Sequence, residues 1–242
     1  MTALVTGAAG AIGAAIVEQL VAAGHRVVAQ DVSAERLERL SGESVVVVPG
    51  DLRDEALLAQ LARMPELADL DRVIAAHGIE GSGDLASTTP DRVARIMSIN
   101  AAAVVDLLGA VEDRLAANAG SFVAVCSQAG LIAEKDNIAY CASKFALVGW
   151  ARAEAPRLAG IGLKLRLLCP GCTETPILFD ALANMAAIEG VPYDDVVARR
   201  LHSIPTRTFA SPAQTAASAC YLADPLQPRP AIFAATGGEV LW

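Results

Sequence analysis

The sequence is short of positive charge. Lys and Arg number 19 against 27 Asp and Glu, a formal net charge of −8. That balance argues against binding a nucleic-acid backbone, which demands a net positive face. It also argues against long-range steering of anionic substrates, while a local basic pocket stays open. No run of about 18 or more uncharged apolar residues occurs, so no membrane span is expected. Met1 leads directly into Thr2-Ala3-Leu4-Val5-Thr6, with no basic stretch before a long apolar one, so no signal peptide is expected. Metal-ligand clustering is missing too. Cys126, Cys141, Cys169, Cys172 and Cys220 form an odd set, and the Cys169–Cys172 spacing encloses Pro170-Gly171 with no second pair. These thiols are expected to be small apolar filling; no metal is expected, and the cytoplasm is the simplest location. No linker, repeat or low-complexity segment divides the chain. Its 242 residues, 54% apolar and 19% charged, suit one α/β domain over residues 1–242.

What is present is an alternation of short apolar runs and helical patterns. Strands are expected at residues 3–6, 26–30, 45–48, 72–76, 121–126, 163–169 and 232–235. The run at 45–48 is unbroken and β-branched, so it reads as a strand buried on both faces. Ile12, Ile16, Val17 and Leu20 keep helical spacing up to Gly24. Ser33 can cap a helix carrying Leu37 and Leu40, and Leu57, Leu58 and Leu61 mark another. Residues 91–115 read as helix with a break near Asn100, and 138–158 as one long helix. Residues 175–200 are less regular, with helical stretches and a turn at Gly190-Val191-Pro192. Ser211-Pro212 opens a helix through Leu222. Strand–helix alternation implies a doubly wound parallel sheet with helices on both faces, a three-layer Rossmann-type α/β/α fold. Its ligand is expected at the carboxyl ends of the strands.

The first strand runs into Gly7-Ala8-Ala9-Gly10-Ala11-Ile12-Gly13 and then a helix. Glycines let backbone approach a pyrophosphate, and the helix start offers N–H groups to it. Gly7, Gly10, Ala11, Ile12 and Gly13 are therefore candidate cofactor contacts. Asp31, about twenty residues on at the end of the second strand, can accept hydrogen bonds from the adenosine ribose and repel a 2′-phosphate. No Arg or Lys lies in the glycine turn, and Val32 follows Asp31. NAD is favoured over NADP.

Tyr140-Cys141-Ala142-Ser143-Lys144, with Ser127 thirteen residues before the tyrosine, resembles the short-chain dehydrogenases/reductases in their short single-domain branch. The resemblance covers nearly the whole chain. It implies Tyr140 as acid/base, Lys144 as ribose-holding cation, Ser127 as the group polarising a carbonyl, and Asn100 as the helix kink that holds a proton-relay water. Tyr140 and Lys144 are four apart and share a helix face. A nearby ammonium favours a phenolate, so a lowered Tyr140 pKa is expected. The resemblance also implies that Asp51 and Leu52 contact adenine and that Pro170, Gly171, Thr173 and Thr175 hold the carboxamide. Ala76, His77 and Gly78 would lie near the cofactor ribose.

Three departures stand out. The family glycine at the place of Ala11 sits one residue earlier, at Gly10, as in the extended branch. The family's Asn-Asn-Ala-Gly appears as Ala75-Ala76-His77-Gly78, so His77 is expected to replace part of the missing amide bonding. Near the chain end, Thr236-Gly237-Gly238 stands where the family continues into an Asp-Gly-Gly tail, and an altered last strand is expected. The implied function is hydride transfer between NAD(H) and a secondary alcohol or ketone. An NADP-dependent carbonyl reductase and a non-catalytic dinucleotide-binding sensor or scaffold stay open. Residues 176–205 are expected to cover the substrate, with Ile177, Leu178, Phe179, Leu182, Met185 and Ile188 either as apolar lining or as lid packing. Arg199, Arg200, His202 and Arg207 are either anion contacts or solvated charges. The resemblance implies a homodimer or homotetramer built on the helices at 100–115 and 138–158.

Overall fold

A computed structural model describes residues 1–240; Leu241 and Trp242 lie outside the described residues. Apolar β-rich runs form seven strands: β1 (Thr2–Thr6), β2 (Arg26–Asp31), β3 (Val45–Pro49), β4 (Leu70–Ala75), β5 (Ser121–Val125), β6 (Lys164–Pro170) and β7 (Ile232–Ala235). Between them run α1 (Ala11–Ala22), α2 (Ala34–Glu38), α3 (Glu55–Arg63), α4 (Pro90–Met97), α5 (Ala103–Ala117), α6 (Ile138–Gly160), α7 (Pro176–Glu189), α8 (Tyr193–Ser203) and α9 (Pro212–Ala223). The strands make one parallel sheet in the order β3-β2-β1-β4-β5-β6-β7. Strand order reverses at β1, where Thr6 pairs with Gln30 on one side and Ala75 on the other. Loops leaving β1 and β4 therefore diverge and open a crevice at the carboxyl ends.

Each sheet face is sealed by helices. Leu57 and Leu61 of α3, Leu107, Val111 and Leu115 of α5, and Leu147 of α6 pack on Val73, Phe122 and Leu167. On the other face, Ile16 and Leu20 of α1 with Ala219 and Leu222 of α9 pack on Val5, Ala29, Ile74 and Val123. Burying such a side chain contributes about 1.5–3 kcal/mol. α9 starts with a capping box, the Ser211 hydroxyl accepting from Gln214 N and the Gln214 side chain accepting from Ser211 N.

One expectation is corrected. β3 is not buried on both faces: it is a sheet edge, paired only with β2, and Val46 is 40% exposed. A valine run fits a pleated strand at either place, so composition alone did not locate it. The helical stretches expected within residues 175–200 are two regular helices, with the turn at Gly190-Val191-Pro192 between them. Gly190 ends α7 in the left-handed conformation, φ 66°, and Pro192 precedes α8. The helical stretch Pro90–Ala117 is long and apolar enough to cross a membrane by length and composition alone, an 18-residue window within it having a mean hydropathy of 1.5. It interrupts that character with Arg95 and Asp106, and buries Ile96, Val104, Leu107, Val111 and Leu115 in the core. The expected break near Asn100 is a single widened π-turn over Ser98–Ala102.

Candidate active site

Gly7 leaves β1 with φ 64°, and a Cβ there would lie 2.6 Å from the backbone of His77. A Cβ on Gly13 would lie 2.0 Å from the Gly7 carbonyl oxygen. The two glycines thus let the turn fold flat against β4 and α1. Gly10 is the N-cap of α1 and supplies no side-chain acceptor, so the first-turn N–H groups of Ala11, Ile12 and Gly13 face the crevice uncapped. Ala11 is the first helical residue, where a methyl group fits, which accounts for the shifted glycine.

The carboxylate of Asp31 is buried. Its Oδ2 accepts from Ala9 N at 3.0 Å and its Oδ1 from Ser33 N at 2.9 Å. Asp31 thereby fixes the glycine turn from the neighbouring strand while still lining the cavity. Asp51 is less free than the sequence implied. Arg53 grips it, Nε to Oδ1 at 3.0 Å and Nη2 to Oδ2 at 2.5 Å, and these hydrogen bonds hold its carboxyl below the usual range. Leu52 is buried beside it, and Arg36 and Arg53 also line this cavity.

Ser127, at the end of β5, accepts from Ala129 N at 3.1 Å and lines the same cavity as Tyr140 and Lys144. The Lys144 Nζ lies 5.5 Å from the Tyr140 ring centre and donates to Val125 O at 3.2 Å. Burial lowers the Lys144 pKa. The lowered Tyr140 pKa is not found: burial raises it, and a hydrogen bond with Ser127 opposes that rise only partly. Desolvation of the phenolate decides the direction, and the Lys144 ammonium gives its hydrogen bond to the Val125 carbonyl.

Asn100 is fully buried. Its Oδ1 accepts from Ile79 N at 2.8 Å, and its Nδ2 donates to Ile79 O at 3.0 Å and Ser143 Oγ at 3.2 Å. The side chain ties the β4 loop to α6. His77 takes up part of the missing amide bonding, with Nδ1 2.7 Å from Thr6 Oγ1, while its Nε2 is buried without a partner. Burial first, and then Lys144, lower its pKa from 6.5 to about 4. Ala76, His77 and Gly78 all line the cavity.

On the β6 side, Pro170, Gly171, Thr173 and Thr175 line the cavity as expected. Their hydroxyls have structural partners: Thr173 Oγ1 meets Thr215 Oγ1 at 2.9 Å, and Thr175 Oγ1 caps α7 by accepting from Leu178 N. Of the apolar lid residues, Ile177 and Leu178 line the cavity. Leu182 and Met185 pack in a small cluster with Val196 of α8, and Phe179 and Ile188 are exposed. Arg199 pairs with Glu189 at 2.5 Å. Arg200 is held by Glu239, by the Cys172 Sγ at 3.0 Å and by Glu134 at 3.7 Å, while His202 and Arg207 are exposed.

The sequence reading passed over Gln128, Glu134 and Asn137, which line the cavity around Ser127 and Tyr140. Their closeness to those two residues in sequence was the available signal. The cavity measures ≈ 670 Å³, within the range of small-molecule and cofactor sites.

Residues 1–185 match the family described as short chain dehydrogenase. The chain is 30% identical to 2-(R)-hydroxypropyl-CoM dehydrogenase of Xanthobacter autotrophicus, over 91% of this chain and 90% of that protein. It is 30% identical to D-threitol dehydrogenase of Mycolicibacterium smegmatis, over 92% and 85%. A solved oxidoreductase of the short chain dehydrogenase/reductase family from Burkholderia thailandensis superposes with a TM-score of 0.83 at 28% identity, over 99% and 92%.

Proposed function

The chain belongs to the short chain dehydrogenase family, and from that premise we propose that it oxidises a secondary alcohol to a ketone, reversibly, with NAD. The observation that carries this reading is the convergence of Ser127, Tyr140 and Lys144 on the cavity that also holds the glycine turn and Asp31. Two dehydrogenases of alcohols among its relatives support it.

The residues present fit a nicotinamide dinucleotide. Gly7 and Gly13 let the turn pack backbone against backbone beside the cavity, and the uncapped start of α1 offers N–H groups to an anion. Ala11, Ile12 and Gly13 would hold the pyrophosphate, Asp31 the adenosine ribose, and Lys144 with Pro170, Gly171, Thr173 and Thr175 the nicotinamide end. Bound there, the cofactor supplies the acceptor for the carbinol hydride and a positive ring that favours a phenolate. Tyr140 accepts the proton of the substrate hydroxyl, and Ser127 donates a hydrogen bond to the same oxygen. Lys144 would favour the phenolate that Tyr140 must be in order to accept that proton. A water held at the widened turn over Ser98–Ala102 would take the proton onward. The outward faces of α5 and α6, which leave Val105 and Phe145 exposed, would carry a homodimer or homotetramer contact.

The second reading is NADP-linked carbonyl reduction. It is favoured by Arg36, which sits on the helix directly after Asp31 and lines the same cavity. Initial rates with each cofactor, over a panel of secondary alcohols and ketones, separate the two. Preference for NAD supports the role given to Asp31. Preference for NADP refutes it, and no turnover on any substrate refutes the enzymatic reading.

A further inference from the structure

Two amide side chains flank the proposed reacting groups. Gln128 follows Ser127, and Asn137 is the N-cap of α6, three residues before Tyr140. Both meet one carboxylate: Gln128 Nε2 donates to Glu134 Oε1 at 3.0 Å, and Asn137 Nδ2 donates to Glu134 Oε2 at 2.9 Å. A carboxylate only accepts hydrogen bonds, so each amide must turn its NH₂ group toward Glu134. Flipping either amide would set oxygen against oxygen.

The consequence is a pair of unpartnered lone pairs in a closed place. Gln128 Oε1 and Asn137 Oδ1 are buried and have no hydrogen-bond partner. Gln128 is only 2% exposed, and its Oε1 lies 3.1 Å from where a Cβ on the cavity-lining Gly171 would stand. Asn137 is fixed from below. Gly83 N donates to Asp136 O at 2.7 Å, Asp136 takes a left-handed φ of 54°, and Gly83 and Asn137 pair in an isolated parallel bridge. A buried acceptor without a partner is costly, and a ligand that donates to it removes the cost.

Glu134 and Glu239 hold Arg200 between them, and Cys172 engages it as well. Arg95, which also lines the cavity, is exposed. An anionic group would face the two acceptor oxygens; hydroxyl groups would find partners there. Opposite them, Ile177 and Leu178 offer an apolar wall for a carbon chain.

We propose that Gln128 and Asn137, oriented by Glu134, are specificity residues that accept hydrogen bonds from hydroxyls next to the reacting carbinol, so that the substrate is a neutral polyhydroxy alcohol. The proposal rests on the alcohol-oxidising function above. Glu134 acts as a positioning residue, since it reaches the substrate through the two amides.

The test uses probes of equal chain length: meso-erythritol, sec-butanol and β-hydroxybutyrate. NADH formation gives kcat/KM for each, and calorimetric titration of the NAD-loaded Tyr140→Phe protein gives binding without turnover. Erythritol should exceed both others by about tenfold or more in kcat/KM, since a site built to pair a hydroxyl rejects analogues lacking it. Gln128→Met and Glu134→Gln should each shrink that ratio through the KM for erythritol. Equal or better use of sec-butanol or β-hydroxybutyrate, or a ratio unchanged in both variants, overturns the proposal while the alcohol-oxidising function stands. Preferential erythritol binding without turnover of any alcohol by the wild-type protein supports the proposal and removes that function. Neither binding nor turnover removes both.

Discussion

His77 offers a pH test of how the crevice is built. Its ring occupies the place where the β4 loop meets the glycine turn, bonded to Thr6 through Nδ1 and with Nε2 unpartnered. Burial, then the Lys144 charge, bring its pKa from 6.5 to about 4. The sign follows from proton counts. Between those values the unfolded chain binds a proton that the folded chain refuses, so stability falls as pH drops from about 6.5 to 4. Each pH unit of that separation is worth about 1.4 kcal/mol, which caps the loss at about 3 kcal/mol. Solvent in the open cavity reaches part of the ring, which reduces the expected loss to about 1–2 kcal/mol. Urea unfolding at a series of pH values between 7 and 4 measures it, with His77→Asn as the reference that cannot titrate. His25, lowered in the same direction by burial, is present in both proteins and cancels in the difference. The wild type should lose about 1–2 kcal/mol more than His77→Asn across this interval. Identical losses would refute the buried, neutral His77.

Further expectations concern the scaffold and the cofactor. Gly13→Ala places a methyl group 2.0 Å from the Gly7 carbonyl, so it should cost about 1–3 kcal/mol or more and weaken NADH binding, read by thermal melting and by fluorescence titration. Asn100→Ala strands the Ile79 N–H and carbonyl inside the core; a loss of about 3 kcal/mol, lowering Tm by about 6–12 °C, is expected by calorimetry. Asp31→Ser should move the ratio of NAD to NADP efficiencies toward NADP by about tenfold or more; an unchanged ratio would show that Arg36 or another group sets the choice.

The sheet and its order of elements were legible because strand and helix periods differ and the chain alternates them. The glycine turn was legible for a local reason: Gly7 and Gly13 stand where backbone excludes a Cβ. What escaped was set by tertiary position. Four valines at 45–48 suit an edge and a centre equally, and only the sheet order places Val46 in solvent. Tyr140 and Lys144 share a helix face as their spacing requires, yet the depth of the phenol decides the direction of its pKa, and depth is not written in a spacing. Asp31 and Asp51 illustrate the same limit: the first anchors the turn, and the second is gripped by Arg53, a partner two residues away. Arg199 and Arg200 are neutralised by glutamates 10 and 39 residues distant, which no local pattern announces.

The central claim is that Tyr140 takes the proton from an alcohol whose hydride passes to NAD. Its most direct measurement is steady-state turnover together with NADH affinity in Tyr140→Phe. The account predicts that NAD reduction falls by at least about a hundredfold, the low end of what a positioned general base contributes, while the Kd for NADH stays within a few fold of wild type. Wild-type turnover in Tyr140→Phe would contradict it.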